Sequence, residues 1–401
     1  MRRTILAVAA MLAALILGSG MALAVSAAGP AESLGSQARA SPCEPKVIAL
    51  GTLGGPNSIA YEINDDKWIV GGADTPGGEA HPTLWRSGNI RDLGTLNFPN
   101  GEAFNVNESG TIVGILFKGD PFDGTGTVRG FVWRHGEMKR LPTLGGDFSY
   151  ARRVNERGVV AGSATLANGN ERAVIWRHGK PKNLGTLGGN YSYASGINER
   201  GQVVGASAKR RNGPPHAFLW EDGHMRDLGT LGGPFSEANT INNSGRIAGV
   251  AQLDSSIFKA HTTIWEGGRK YDLGTLGGDF SLALGMNELG QIVGRSDTTR
   301  EEPYHERPFV WSGGLMLGFP TLGGDSGKAR GINNQGTIVG GSDLPSGKGR
   351  ATLYRCALAF NPNAFLKGKS TASSVEAEPT DFSERLTSVD RITPRLAPAR
   401  R

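Results

Sequence analysis

The chain has 401 residues, with 43 Lys and Arg against 37 Asp and Glu and a formal charge of +6. Arg2 and Arg3 supply two of those charges, which leaves about +4 on the remainder, too small and too dispersed a surplus to specify a nucleic-acid partner. No nucleic acid is therefore expected.

In chain order, Arg2 and Arg3 precede an apolar run over residues 5–17 and a small-residue exit over 21–27, the pattern of a signal peptide spanning 1–27. An uncleaved anchor is the alternative, but the interruption at 18–20 and the small exit residues favour cleavage. The arginine pair alone does not make a twin-arginine signal. The expectation is a secreted, extracellular protein, free or at the cell surface, without a stable membrane span after cleavage. Residues 28–45 read as a linker, and residues 359–401, rich in Ser, Thr, Pro and charge, as a disordered tail.

Between them, over 46–358, one motif recurs seven times at a period of about 45 residues. Asn64, Asn107, Asn155, Asn198, Asn242, Asn287 and Asn333 mark the register. Each is followed seven residues later by Gly71, Gly114, Gly162, Gly205, Gly249, Gly294 or Gly340, and then by Trp85, Trp133, Trp176, Trp220, Trp265, Trp311 or Tyr354. Four short strands fit each period; in the fifth copy they fall at 238–242, 246–251, 263–266 and 270–273. Asn-x-x-Gly joins the first two strands as a type I hairpin, and Gly88, Gly136, Gly179, Gly223, Gly268 and Gly314 sit at the tips of the third-to-fourth turns. Apolar and β-branched residues fill the segments between, with no sustained helical period.

The fold expected is all-β: a seven-bladed β-propeller with four antiparallel strands per blade, stacked around an axis so that only short edges remain. The recurrent aromatics read as core, packed where the glycine of the second strand leaves room. Leu50, Leu93, Leu141, Leu184, Leu228, Leu273 and Leu317 mark the outer strands, so the last blade lacks its own and is expected to borrow the N-terminal strand. Alignment with the fourth copy sets Cys43 opposite Glu221 and Cys356 opposite Asp222, neighbours at a hairpin tip. A Cys43–Cys356 disulfide follows, closing a loop of roughly 300 residues and contributing about 4–5 kcal/mol in the chain-entropy model. It suits an oxidising compartment.

His-Ala-Phe-Leu-Trp at 216–220 and Asp-Leu-Gly-Thr-Leu-Gly-Gly at 227–233 resemble the HAF-type extracellular repeat family, through all seven copies over about 46–354. The resemblance implies secretion and a repeated β architecture; it supplies no catalytic residues. Two copies depart from the pattern, with Lys67 in place of the turn glycine and Asn97-Phe98 in place of Gly-Gly, and altered loops are expected there.

Chemistry is sparse. A basic residue precedes each aromatic by four positions (His81, Arg129, Arg172, His216, His261, Arg307, Arg350), forming a rim that could bind anions or could hold the Thr-Leu-Gly-Gly loops; sevenfold recurrence favours the structural role. The three histidines stand on copies that are not all neighbours and cannot converge within about 2.0–2.1 Å of one ion, so no metal is expected, and no cofactor. Function is sought where copies differ. On the inner strands these are Tyr61-Glu62, Phe104-Asn105, Arg152-Arg153 and Arg330; on the loops between second and third strands, the stretch over 117–128 with Asp120, Phe122 and Asp123, the basic stretch with Arg211, and the stretch with Glu301, Glu302, Tyr304 and His305. Arg153, Arg211, Tyr304, His305 and Glu62 are the candidate binding residues. No catalytic constellation is visible, and the recurrent serines (Ser58, Ser149, Ser192, Ser236, Ser281) are turn residues rather than nucleophiles. The reading is a monomeric binding protein for an extracellular protein or glycan. Its competitors are a lyase or hydrolase at the channel mouth, using Glu62, Arg153 or His305, and a structural component of the cell envelope.

Overall fold

The computed structural model describes residues 46–119, 126–256, 259–299 and 305–355. The segments expected as signal peptide, linker and tail, both cysteines of the expected disulfide, and Tyr304, with Asp120, Phe122, Asp123, Glu301 and Glu302, lie outside the described residues. Within them are twenty-eight strands and no helix. β2 (Ser58–Ile63), β3 (Ile69–Asp74), β4 (Ala80–Arg86) and β5 (Asn89–Asp92) form an antiparallel meander from an inner to an outer strand. The pattern repeats from β14 (Ser192–Ile197) to β17 (His224–Asp227), from β18 (Ser236–Ile241) to β21 (Arg269–Asp272), and from β22 (Ser281–Met286) to β25 (Leu315–Gly318). A further sheet has the order β1 (Lys46–Ala49), β28 (Gly349–Arg355), β27 (Ile338–Asp343), β26 (Gly327–Ile332), so β1 is the outer strand beside β28. The architecture is a repetitive β-propeller.

Two meanders are fused. β6 (Asn100–Val106) through β9 (Glu137–Arg140) and β10 (Gly145–Val154) through β13 (Lys180–Asn183) make one eight-stranded sheet, joined where Phe148 pairs in parallel with Val128 of β8 (Thr127–Arg134). β10 starts at Gly145, whereas other inner strands start at or beside the recurrent serine or the glycine that replaces it, and Thr165 Oγ1 holds the Phe148 N–H at 3.1 Å; Phe280 makes the same parallel bridge, to Ala260, just before β22.

The turns follow from their residues. Third-to-outer turns are two-residue loops with both central residues at positive φ, such as Ser87 (50°) with Gly88 (79°) and Asp222 (49°) with Gly223 (88°), the hairpin whose twist matches its strands. Each recurrent Asn builds its own turn: Asn107 Oδ1 accepts from the Thr111 N–H at 2.8 Å, and the Gly110 N–H donates to the Asn107 carbonyl at 3.1 Å. The first copy keeps this turn despite its Lys, correcting the expectation of an altered loop: Lys67 adopts φ +62° and donates to the Asn64 carbonyl at 3.0 Å. The second copy does change, with Leu96 and Asn97 both at positive φ.

Neighbouring meanders share their cores. Val70, Leu84 and Leu93 of the first pack with Ala103, Ile112, Phe131 and Trp133 of the second. Ala60, Ile63 and Trp85 of the first pack with Val339 and Ala351 of the last. The recurrent aromatics are core as expected: Trp176 and Tyr354 are fully buried, and only Trp311 is partly exposed. The glycine of the second strand, however, is not there for the aromatic. A Cβ on Gly71, Gly114, Gly162, Gly205, Gly249, Gly294 or Gly340 would lie 1.9–2.0 Å from an inner-strand carbonyl oxygen, such as Ile59 O or Glu237 O, next to a bulge that every inner strand carries after its Ala. Backbone proximity at the bulge demands glycine. The outer-strand marker of the sixth copy also moves, from Leu317 to Phe319, which is buried and donates its N–H to the Pro308 carbonyl at 2.7 Å, as Leu228 does to Ala217 at 2.9 Å.

At the end of the molecule bearing the inner-strand turns, two sets of hydrogen bonds tie meander to meander: an inner set from the recurrent asparagines, complete among the described residues except between Asn242 and Asn287, and an outer set that closes on itself. Asn64 Nδ2 donates to the Asn107 carbonyl at 3.1 Å, Asn107 to Asn155 at 3.0 Å, and Asn333 back to Asn64 at 3.2 Å. Outside them, the N–H of each following residue donates to the side chain of its counterpart in the next copy: Asp65 to Glu108, Glu108 to Glu156, Glu156 to Glu199, Glu199 to Asn243, Asn243 to Glu288, Glu288 to Asn334, and Asn334 to Asp65, at 2.8–3.1 Å.

Candidate functional site

The recurrent serines are staples. Ser236 Oγ accepts the Ala217 N–H at 2.9 Å and donates to the Gly229 carbonyl at 2.9 Å; Ser149, Ser192 and Ser281 do the same with Gly130, Ala173 and Thr262 as donors. Each joins its inner strand to the third strand of the preceding meander. In two meanders the donor position is Pro82 or Pro308, which has no N–H, and there the following serine is replaced by Gly101 or Gly327, against which the proline ring packs.

The basic rim divides by residue type. Arg172 Nη1 donates to the Asn190 carbonyl at 2.7 Å and Arg307 Nη1 to that of Asp325 at 2.9 Å, while Arg129 and Arg350 reach the Asp147 and Pro56 carbonyls; three acceptors lie on the loop entering the next meander and Asp147 on the extended start of β10. The histidines instead pair within their own meander: His81 Nδ1 with Asp92 at 2.7 Å, His216 with Asp227 at 3.0 Å and His261 with Asp272 at 2.9 Å. Burial pushes the Asp227 carboxyl up, but Lys209, the Gly229 N–H and His216 together hold it below the usual carboxylate range. All seven rim residues thus have their charge or donors directed to the fold; Arg129 in addition lines a hollow with a second cation, Arg140.

Of the candidate binding residues, the structure joins two. Arg153 on β10 forms an ion pair with Glu62 on β2, across the axis, and its Nη2 reaches the Leu284 carbonyl on β22 at 3.4 Å. Asn105 Nδ2 donates to Glu62 Oε2 at 3.3 Å and Asn105 Oδ1 accepts the Val154 N–H at 2.9 Å. Gly331 admits this carboxylate, since a Cβ there would lie 2.6 Å from Glu62 Oε1. Tyr61, Glu62, Phe104, Asn105, Asn239, Leu284 and Arg330 are all buried around this pair, so the axis is filled at their level. Arg211 lies elsewhere, exposed on a loop held by paired Asn190–Asn212 hydrogen bonds (2.9 and 3.0 Å) and by Tyr191 Oη donating to the Gly213 carbonyl at 3.3 Å. His305 sits just before β24 (Glu306–Ser312), its carbonyl accepting the Thr298 N–H at 3.1 Å.

Towards the face carrying the second-to-third-strand loops, the inner strands bring together groups that the sequence reading passed over. Tyr61 donates to Glu102 Oε2 at 3.3 Å and lies under the Arg330 guanidinium, 4.8 Å from its ring centre. Phe104 meets Tyr61 edge-on at 5.0 Å and stacks on Tyr150 at 5.1 Å; Phe148 follows at 6.3 Å, and Arg152 covers Phe104 at 5.5 Å. Burial pushes the Glu102 carboxyl up to about 8 against the opposing pull of Arg330 and the Tyr61 hydroxyl, so it is largely protonated at neutral pH. On the neighbouring meander, burial and then Glu237 raise the Tyr193 hydroxyl well above its usual value. Phe148, Tyr150, Tyr191 and Tyr193 are half-buried, an aromatic arc on two adjoining meanders flanked by Glu102 and Glu237. The signal lies in the sequence as Phe-Ser-Tyr at 148–150 and Tyr-Ser-Tyr at 191–193, where Tyr150 and Tyr193 follow the serine in two copies alone, while the residue before it is aromatic also at Phe235 and Phe280.

No protein-family model matches the chain, and no curated protein does. Among solved structures, the chain is similar to TolB from Acinetobacter baumannii, at 14% identity and a TM-score of 0.39 over 77% of this chain and 65% of that one. It is also similar to the β-propeller domain of the Trilobed protease from Pyrococcus furiosus, at 12% identity and 0.47 over 78% and 98%. A third is the Aleuria aurantia lectin, at 11% identity and 0.37 over 76% and 95%. The chain thus spans less than two thirds of that TolB.

Proposed function

We propose that the protein is a secreted, seven-bladed propeller of the HAF-type repeat class, its last blade completed by β1, and that it binds an extracellular glycan or protein on the face carrying the second-to-third-strand loops. The observation that carries this reading is the unsymmetrical aromatic arc of Phe148, Tyr150, Tyr191 and Tyr193, flanked by Glu102, Glu237 and Arg152. Positions shared by most copies hold the fold, whereas Tyr150 and Tyr193 break the repeat, and Phe148 and Tyr191, at a position that is aromatic but buried at Phe235 and Phe280, leave aromatic faces partly open beside hydrogen-bonding groups. Aromatic faces with adjoining polar groups suit the C–H faces and hydroxyls of sugars, and equally a peptide side chain. The loop bearing Arg211 is pinned to Tyr191 on the same arc, which supports a preformed surface. The hydrolase or lyase reading is weakened by Glu62, whose carboxylate is held by Arg153, Asn105 and the Ile63 N–H.

The test is binding of the purified protein to glycan arrays and to immobilised extracellular proteins, repeated with Tyr150→Ala, Tyr193→Ala and Arg211→Ala. Loss of at least tenfold in affinity with unchanged circular dichroism supports the site. A bound partner that is indifferent to all three substitutions places recognition elsewhere.

A further inference from the structure

In four meanders the last residue of the outer strand caps the loop that follows, a duty absent where β25 ends in Gly318 and β1 in Ala49. Asp92, Asn183, Asp227 and Asp272 each accept, through Oδ1, the N–H of the glycine two positions on: Gly94 at 2.8 Å, Gly185 at 2.9 Å, Gly229 at 2.8 Å and Gly274 at 2.8 Å. The three aspartates also pair with the rim histidine eleven residues earlier. β9 departs from both rules. Two positions on stands Pro142, which has no N–H to cap, and the last residue is Arg140. It lies opposite Phe131 in the register that sets Asp92 opposite Thr83. Its rim partner eleven residues earlier is Arg129.

Two guanidinium groups therefore occupy the positions that His and Asp fill in three other meanders. Arg129 uses Nη1 on the Val128 and Asp147 carbonyls. Arg140 is exposed and makes no hydrogen bond or ion pair among the described residues. With Leu141, Pro142 and Thr143 the two arginines line an open hollow of about 360 Å³. The acid closest in sequence to Arg140, Glu137, pairs with Lys139 at 3.0 Å, and Asp147 meets Arg129 only through its main-chain carbonyl.

We propose that Arg129 and Arg140 form a binding site for an oxyanion, the carboxylate, sulfate or phosphate of an acidic ligand. Like charges brought together at a position relieved of its capping duty gain from an anion between them. Guanidinium groups present paired N–H donors that match such an anion. The exposed outer hairpins of this meander and the next add Arg134, Arg177, Lys180 and Lys182, a surface over which a polymeric anion would be retained better than a single ion. This site lies on the outer rim and does not depend on the aromatic arc.

The experiment follows the arginine Nε–Hε resonances of the full protein during titration with sodium sulfate, phosphate and acetate, and then with polygalacturonate. Saturable shifts of Arg129 and Arg140 are expected, weakened at least tenfold by Arg140→Asp and by Arg140→Ala. The double variant Arg129→His with Arg140→Asp rebuilds the His81–Asp92 arrangement and should fold while losing the response. Polygalacturonate binding at least tenfold tighter per carboxylate than acetate identifies a polymeric ligand, and equal binding a free oxyanion. Absence of saturable shifts, or shifts unchanged by the Arg140 variants, overturns the site.

Discussion

At the scale of single residues, donors and acceptors explain substitutions that the repeat alone leaves arbitrary. Ser236 is fully buried between the Ala217 N–H and the Gly229 carbonyl, so Ser236→Ala strands a buried donor. A loss of about 1–3 kcal/mol is expected in urea unfolding, and a change under a few tenths would show that the N–H finds another acceptor. Sequence position alone makes these serines turn residues, but their partners lie on the preceding meander and no local pattern reveals them; the signal available is that Gly101 and Gly327 follow the two copies that carry Pro82 and Pro308. Glu102 gives a pH dependence. Its folded carboxyl titrates near 8 because of burial, against about 4.3 in an unfolded chain. Between these values the unfolded chain has released the proton and the folded one retains it. Stability is therefore fullest below about pH 4 and falls as pH rises to about 8, by at most about 1.4 kcal/mol per pH unit. Glu102→Gln should flatten this slope, read as urea midpoints at about pH 5 and 8.5; identical slopes in both proteins would remove Glu102 as its source.

At the scale of the element, strand positions and hairpins were legible and the reason for the second-strand glycine was not. Spacing shows that glycine is wanted there, but only the bulge of the inner strand brings a carbonyl within 2.0 Å of the missing Cβ. Gly249→Ala should prevent closure of its hairpin, with the meander opened or the protein insoluble, whereas Ala at exposed Gly179 should cost about 1–2 kcal/mol through its positive φ alone. Lys67 holds a left-handed conformation in a turn where the other copies use glycine. Lys67→Gly is expected to raise stability by about 1 kcal/mol in thermal and urea unfolding; a decrease would mean that the Lys side chain stabilises the turn in a way its geometry does not reveal. The parallel bridge at the start of β10 does have a sequence signature, since Gly-Gly-Asp-Phe-Ser also leads into β22 and there Phe280 pairs in parallel with Ala260 as Phe148 does with Val128; only the longer run of β10 from Gly145 is peculiar to that copy.

At the scale of the whole molecule, the candidate site was legible only in outline. Glu62 and Arg153 lie 91 positions apart, and their contact depends on which meanders face each other across the axis. Removing one member takes the opposite charge away from the other in a largely buried site, so Arg153→Leu and Glu62→Leu are each expected to cost about 3 kcal/mol, and the double variant less than their sum. A double-mutant cycle that proved additive would mean that the pair does not brace the axis. The aromatic arc escaped notice because sequence gives the identity of inner-strand residues but not how far each is covered by its neighbours.

The pairing of Lys46 with Arg355 leaves the two ends of the described chain side by side on one hairpin edge. Connectivity is then a matter of where a circle of near-equivalent units is interrupted. A gene recut so that a short linker joins these ends, with new ends opened between Asp222 and Gly223, would keep every strand neighbour and shift only the order of synthesis. Such a rearranged chain makes the repeats interchangeable as starting points, and comparing its refolding rate with that of the native order would tell which unit forms first.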